Sequence, residues 1–153
     1  MARERHAWKT EGADQTMPSD TPLIELRVAL SPDPRSVARA RHFVSQALTA
    51  GGCGDIQDMA VLLVSELVTN VVRHTGGSDC VLSIRVAGGI LHVEVVDDSA
   101  ALPAPADPGP DDTGGRGLFL VDALASQWGA RPGPAPGKTV WFELPAPSVA
   151  AAG

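Results

Sequence analysis

The chain has only two cysteines, Cys53 and Cys80. They do not form a CxxC pair and are too few for a disulfide scaffold, which points to a reducing, cytoplasmic setting. Long hydrophobic runs are missing as well: none approaches the ~20 residues that a membrane span needs. The charged start, Met1 to Thr10, has no apolar stretch of the kind a secretory signal carries. Basic charge is sparse. Lys and Arg number 12 against 18 Asp and Glu, for a formal net charge of −6. The clustered cations that phosphate-backbone binding requires are absent, so direct nucleic-acid binding is not expected, although a local basic site for a nucleotide remains open. His6, His42, His74 and His92 make no metal-ligand spacing with one another or with the cysteines, and there is no GxSxG elbow.

A P-loop is lacking too, although Gly133-Pro134-Ala135-Pro136-Gly137-Lys138-Thr139 imitates one. Walker A needs four residues between its glycines, and here there are three. Two of those three are prolines, which have no N–H to offer a phosphate, and the run that follows is β-rich where a helix is required.

What is present is enough apolar material for a core. Hydrophobic residues make up 44% of the 153 and charged residues 20%, which suits one domain. Residues 1–21 are polar and aperiodic and read as a disordered leader; the domain is expected over 22–145, and the Ala- and Pro-rich 146–153 reads as a disordered tail. Ile24, Leu26, Val28 and Leu30 alternate with Glu25, Arg27 and Ala29, the period of a half-buried strand. Ser31-Pro32-Asp33-Pro34 signals a helix start, with a helix over 36–50 ended by Gly51-Gly52. A second, mostly buried helix is predicted from an Asp55 cap to about His74, its apolar set including Met59, Leu62, Leu63, Leu67 and Val71. Val81–Ala87 and Ile90–Val96 flank Gly88-Gly89, a hairpin signal. A long loop, 97–113, precedes a helix over 118–126. Short strands follow at 127–131 and 140–144. Strands and helices do not alternate strictly. The expected fold is therefore α+β: a two-layer sandwich of a mixed, mostly antiparallel sheet of about five strands with three helices on one face.

Three polar features interrupt this pattern. Glu66 and Asn70 stand four apart on the second helix, with Arg73 and His74 one turn on, so a carboxylate and a carboxamide share one face. Such a pair can hold a hydrated divalent cation, or the carboxylate can act as a general base; a helix stripe that merely faces water would look the same. Asp97, ending a strand at the mouth of a long loop, could accept a hydrogen bond from an exocyclic amino group such as that of adenine, or serve only as a turn residue. Gly114-Gly115-Arg116-Gly117 before Leu118 lets a backbone approach a phosphate at a helix start, with Arg116 adding a cation. A flexible joint would also use glycines.

In this order and spacing the pieces resemble the GHKL superfamily of histidine-kinase-like ATPases, and most closely its stand-alone anti-sigma-factor serine/threonine kinases, the RsbW and SpoIIAB type. The resemblance runs from about Leu23 to Leu144. Glu66-Leu67-Val68-Thr69-Asn70 with His74 resembles the N box, Asp97-Asp98-Ser99 stands at the first glycine box, Gly115-Arg116-Gly117-Leu118 at the second, and Gly137-Lys138-Thr139 at the final Gly/Thr motif. The resemblance implies a Bergerat-type ATP-binding fold with ATP and Mg²⁺ as cofactors. It implies Asn70 as the Mg²⁺ ligand, Glu66 as general base toward a protein serine, and Asp97 on the adenine amino group with Thr139 in support. Arg73, His74, Ser99, Gly115, Arg116, Gly117 and Leu118 would complete the ATP site, and residues 99–113 would form a lid. The implied partners are a sigma factor, an antagonist protein, or both, and the family often forms homodimers. The family's first glycine box reads Asp-x-Gly-x-Gly, whereas Ser99 and Ala101 stand here. That departure bears on nucleotide affinity and turnover, and keeps an adaptor without phosphotransfer as the alternative to a kinase.

Overall fold

The computed structural model describes residues 21–74, 79–97, 114–132 and 137–147, apart from the side chains of His74 and of residues 114–118. The leader up to residue 20, the tail from 148, and the lid segment with Ser99 lie outside the described residues. The elements run β1 (Ile24–Leu30), α1 (Arg35–Ala50), α2 (Gln57–His74), β2 (Cys80–Ala87), β3 (Ile90–Asp97), α3 (Gly114–Leu124), β4 (Gln127–Pro132) and β5 (Lys138–Pro145). The strands form one sheet in the order β1-β2-β3-β5-β4. Every pairing is antiparallel, so the mixed sheet expected from sequence is antiparallel throughout its described strands.

Local chemistry explains the boundaries. Asp33, two residues before α1, caps its first N–H, its Oδ1 accepting from the Arg35 N–H at 2.8 Å. The Ser36 hydroxyl donates to the Ser31 carbonyl at 2.8 Å and closes the turn. At the other end Gly52 takes φ of 79°, and the Cys53 N–H reaches back to the Leu48 carbonyl at 2.8 Å, the left-handed stop that glycine permits. Gly51 beside it is needed for space: a Cβ there would meet Ile24 Cδ1 at 2.5 Å. Asp55 does not begin α2. It sits in a short 3-10 turn, Gly54–Ile56, and the helix starts at Gln57. The Gln57 amide then ties the two helices together, accepting from Thr49 Oγ1 at 2.8 Å and donating to Ser45 Oγ at 2.7 Å. Gly88 and Gly89, at φ 59° and 78°, make the two-residue β2–β3 turn, whose geometry needs positive φ at both positions.

Strand alternation divides the sheet into two faces. Leu82, Ile84, Leu91, Val93, Val95, Val140, Phe142 and Leu144 are buried and share one phase across the register. Helix residues Val44, Leu48, Leu63, Val64, Leu67, Val68 and Val121 complete that core. Met59 and Leu62, assigned to the buried stripe of α2 from sequence, are 37% and 39% exposed; the stripe is narrower because α1 and α3 flank α2 without covering its outer side. The opposite face of the sheet is polar. There His92 stacks on Trp141, with ring centroids 5.5 Å apart, and its two ring nitrogens meet Glu143 at 2.8 Å and Glu94 at 3.0 Å. Arg131 reaches the same Glu94 oxygen at 3.4 Å.

Candidate functional site

Short connections bring the polar features to one end of the sheet. α2 ends at His74, and β2 starts at Cys80 next to the end of β3, since Val81 pairs with Val96. So brief a return turns the last part of α2, with Asn70 and Arg73, toward the Asp97 end. On the far side Ala125 and Ser126 join α3 to β4, and Ser126 is fastened to the Glu143 carbonyl through both its N–H and its hydroxyl. Asp122 of α3 also accepts from the Trp128 indole of β4 at 2.7 Å. A helix and strand joined so tightly run back along one another, which directs the start of α3 toward the Lys138 end.

Asp97 closes β3, and Lys138 opens β5 directly opposite it. Both lie in the helix-covered phase of the sheet. The Lys138 ammonium bridges the carboxylate, 3.0 Å from Oδ1 and 2.9 Å from Oδ2. The side chains are 3% and 0% exposed for Lys138 and Asp97. Thr139 is also buried, but its register partner is Val96. Directly opposite Asp97 in the register, and bonded to it, is Lys138, which the sequence motifs left without a role. A signal for it existed: Lys138, Val140, Phe142 and Leu144 share the inward phase, and an inward lysine needs a carboxylate on the facing strand. Cys80 senses the same cluster. Burial, then the nearby Asp97 and Asp79 charges, push its thiol up to about 11, with Lys138 pulling the other way.

On α2, Asn70 is nearly buried at 9% exposure, while Arg73 is exposed. Glu66, one turn before Asn70, is half-buried. It lies at one end of an open groove of about 860 Å³ between α1 and α2, which Arg41, His42, Ser45, Leu62 and Ser65 also line. A carboxylate set there is reachable from outside the domain. Gly114, Gly115, Arg116 and Gly117 form the first turn of α3 instead of preceding it. Their backbone N–H groups are thus the unsatisfied donors of a helix start, carried on residues of which three have no side chain to obstruct an anion. The side chains of His74, Arg116 and Leu118 and all of Ser99 lie outside the described residues. Among the described residues, no three His, Cys, Asp or Glu side chains converge as a metal site. Among them too, no helix is long and apolar enough to cross a membrane.

The histidine kinase-like ATPase domain model matches residues 30–144, which spans three quarters of the chain and every element from α1 to β5. The chain belongs to the histidine kinase-like ATPase family. Membership makes it an ATP-binding domain, with the helix–strand layout just described. Among solved structures it is similar to the RsbU and RsbW domains of Rv1364c from Mycobacterium tuberculosis, at 22% identity with a TM-score of 0.58. The match covers 80% of this chain and 33% of that one, so this chain spans a third of the length of its structural neighbour. At that identity the likeness is one of fold. The comparison with curated proteins gives no match.

Proposed function

We propose that the chain binds ATP with Mg²⁺ at the Asp97 end of the sheet and acts as an anti-sigma-type protein serine/threonine kinase toward an antagonist protein. The observation that carries this reading is the convergence, in a histidine kinase-like ATPase domain, of the ends of α2 and β3 with the starts of α3 and β5. The fold it shares with a neighbour containing an RsbW domain supports the finer assignment.

The donor set suits the nucleotide. A buried carboxylate accepts hydrogen bonds and is matched to an exocyclic amino group. A glycine-led helix start is matched to phosphates. Asn70 offers one oxygen ligand, which is adequate for Mg²⁺ because that ion keeps several waters and takes phosphate oxygens. In this assignment Asp97 and Thr139 face the base, the 115–117 backbone with Arg116 and Leu118 lies along the phosphates, and Arg73, His74 and Ser99 border them. Mg²⁺-ATP supplies the transferable phosphoryl group. Glu66, open to the α1–α2 side, would accept the proton of an incoming serine or threonine hydroxyl. As that oxygen bonds to the terminal phosphorus, the bond to the bridging oxygen breaks and ADP leaves. Two partners, a sigma factor and its antagonist, would compete for the nucleotide-dependent state. A cytoplasmic homodimer is the assembly we expect.

Calorimetric titration with Mg²⁺-ATP tests the reading. Saturable binding is expected, with Asn70→Ala losing its Mg²⁺-dependent part. Glu66→Gln should bind as the parent does and lose at least ~100-fold in labelled-phosphate transfer to the antagonist proteins of its own cell. No binding at millimolar ATP would overturn the assignment. Binding without transfer to any antagonist would replace the kinase by a nucleotide-dependent adaptor. Ser99 and Ala101, which stand in the glycine positions, favour that second reading.

A further inference from the structure

We infer that β1 is a self-association edge: it pairs antiparallel with β1 of a second copy, about a two-fold axis at Leu26. This rests on the homodimer expected above and not on nucleotide binding. β1 stands at the edge of the sheet and, among the described residues, is hydrogen-bonded to β2 alone. An open edge presents a row of N–H and C=O groups to any other strand, and proteins that stay apart blunt it with Lys, Pro or a bulge. β1 has none of these. Its seven residues, Ile24–Leu30, pair one for one with β2. The opposite edge strand, β4, ends in Pro132. Exposed apolar side chains border the open edge. Leu26 shares the helix-side phase of Ile24 and Leu30 but is 48% exposed, and Leu23 is 47% exposed.

The order of residues along the strand says what covers it. A two-fold axis through Leu26 sets antiparallel residues opposite one another on the same face of the joined sheet. Leu26 then meets the second copy's Leu26. Glu25 meets the second copy's Arg27, and the axis repeats that pair. Ile24 meets Val28, and Leu23 meets Ala29. Every pair is apolar with apolar or acid with base. The charges are free to engage. Glu25 and Arg27 are both exposed. Glu25 has only a long ion pair in its own chain, 3.7 Å to Arg85. Arg27 stands opposite Ser83 and forms no ion pair among the described residues. Other registers lose the match. Moving the axis to Glu25 or Arg27 puts that charge opposite its own copy. An axis between two residues sets charged side chains against apolar ones and turns the two helix layers to opposite faces.

Analytical ultracentrifugation of the full chain from about 1 to 100 µM tests the pairing, a range in which small interfaces associate. The parent should be a dimer in the upper part of that range. Glu25→Arg sets Arg against Arg27 across the axis, and Arg27→Glu sets Glu against Glu25, twice in each case. Either variant alone should dimerise at least about 10-fold more weakly, because like charges directly opposite in a sheet are destabilising and the axis repeats them. The two variants mixed in equal amounts should form a heterodimer within about 3-fold of the parent's affinity, because every Arg then faces a Glu. Circular dichroism checks that each is folded. Should one not fold, Leu26→Lys, which puts two ammonium groups across the axis at an exposed position, should likewise give a monomer. A parent that is monomeric throughout would overturn the inference. So would a dimer that neither the charge reversals nor Leu26→Lys weaken, or reversed variants that do not associate on mixing. A parent that dimerises in this way without binding ATP would support the β1 edge and overturn the nucleotide reading alone.

Discussion

Replacing His92 with glutamine should flatten the alkaline side of the stability profile. Both ring nitrogens lie within hydrogen-bonding distance of a carboxylate oxygen, Nδ1 at 2.8 Å from Glu143 and Nε2 at 3.0 Å from Glu94. Carboxylates only accept, so both nitrogens must donate, and an imidazole that donates twice is an imidazolium. Burial pushes the group toward its neutral form, but the hydrogen bonds to Glu143 and Glu94 and their charges outweigh it, lifting the pKa from 6.5 to about 9. A rise of that size corresponds to at most roughly 3 kcal/mol. The side chain is 30% exposed, and screening at such a position reduces the figure to about 1–2 kcal/mol. Because the folded value is the higher one, this contribution is full below about pH 6.5 and is lost as pH rises through about 9. Glu94 works in the opposite sense. Its carboxyl is held below 4.5, chiefly by the hydrogen bond from His92, so its share is present above that value and fades in acid. Urea unfolding at about pH 7 and pH 10 measures the effect. The parent should lose about 1–2 kcal/mol more than His92→Gln between the two. Equal alkaline losses in the two proteins would refute the clamp, since every other titrating group is common to both.

Two further outcomes follow from the structure. Cys80 is 2% exposed and its thiol is pushed up to about 11, so a thiol reagent at about pH 8 should modify it only as fast as the protein opens, with full reactivity in denaturant; rapid alkylation of the native protein would contradict its burial beside Asp97. Asp97→Asn leaves the Lys138 ammonium buried without its charge partner and should cost about 3–5 kcal/mol, whereas Asp97→Asn with Lys138→Met should recover most of that loss; strictly additive losses in denaturant unfolding would show the pair uncoupled.

Much of the fold was legible because two periodicities and a few glycines dictate it. The alternation in 80–87 and 90–97 and the paired positive-φ glycines between them leave little choice but a hairpin, and the Gly51-Gly52 stop of α1 is equally local. What sequence could not resolve were features decided by partners distant in the chain. The start of α2 moved from Asp55 to Gln57 because Gln57 bonds across to Ser45 and Thr49. Met59 and Leu62 match the helical period as core residues but stay exposed, because among the described residues no element covers that side of α2. α3 begins at Gly114, four residues before the first apolar position, where glycine propensity argues against a helix.

The site divides along the same line. Glu66 and Asn70 are legible as a pair since four residues on a helix fix their relation. The relation of Asp97 to Lys138 spans 41 residues and depends on register, which shifts every contact when it moves by one. The motif names Thr139 as support for the base contact of Asp97 and gives Lys138 no role; the register sets Lys138 opposite Asp97 and Thr139 opposite Val96. The register thus adds to Asp97 a cation that can only donate, which the motif does not reveal. The carboxylate at the end of β3 therefore comes with its own built-in counter-charge, supplied from 41 residues along the chain.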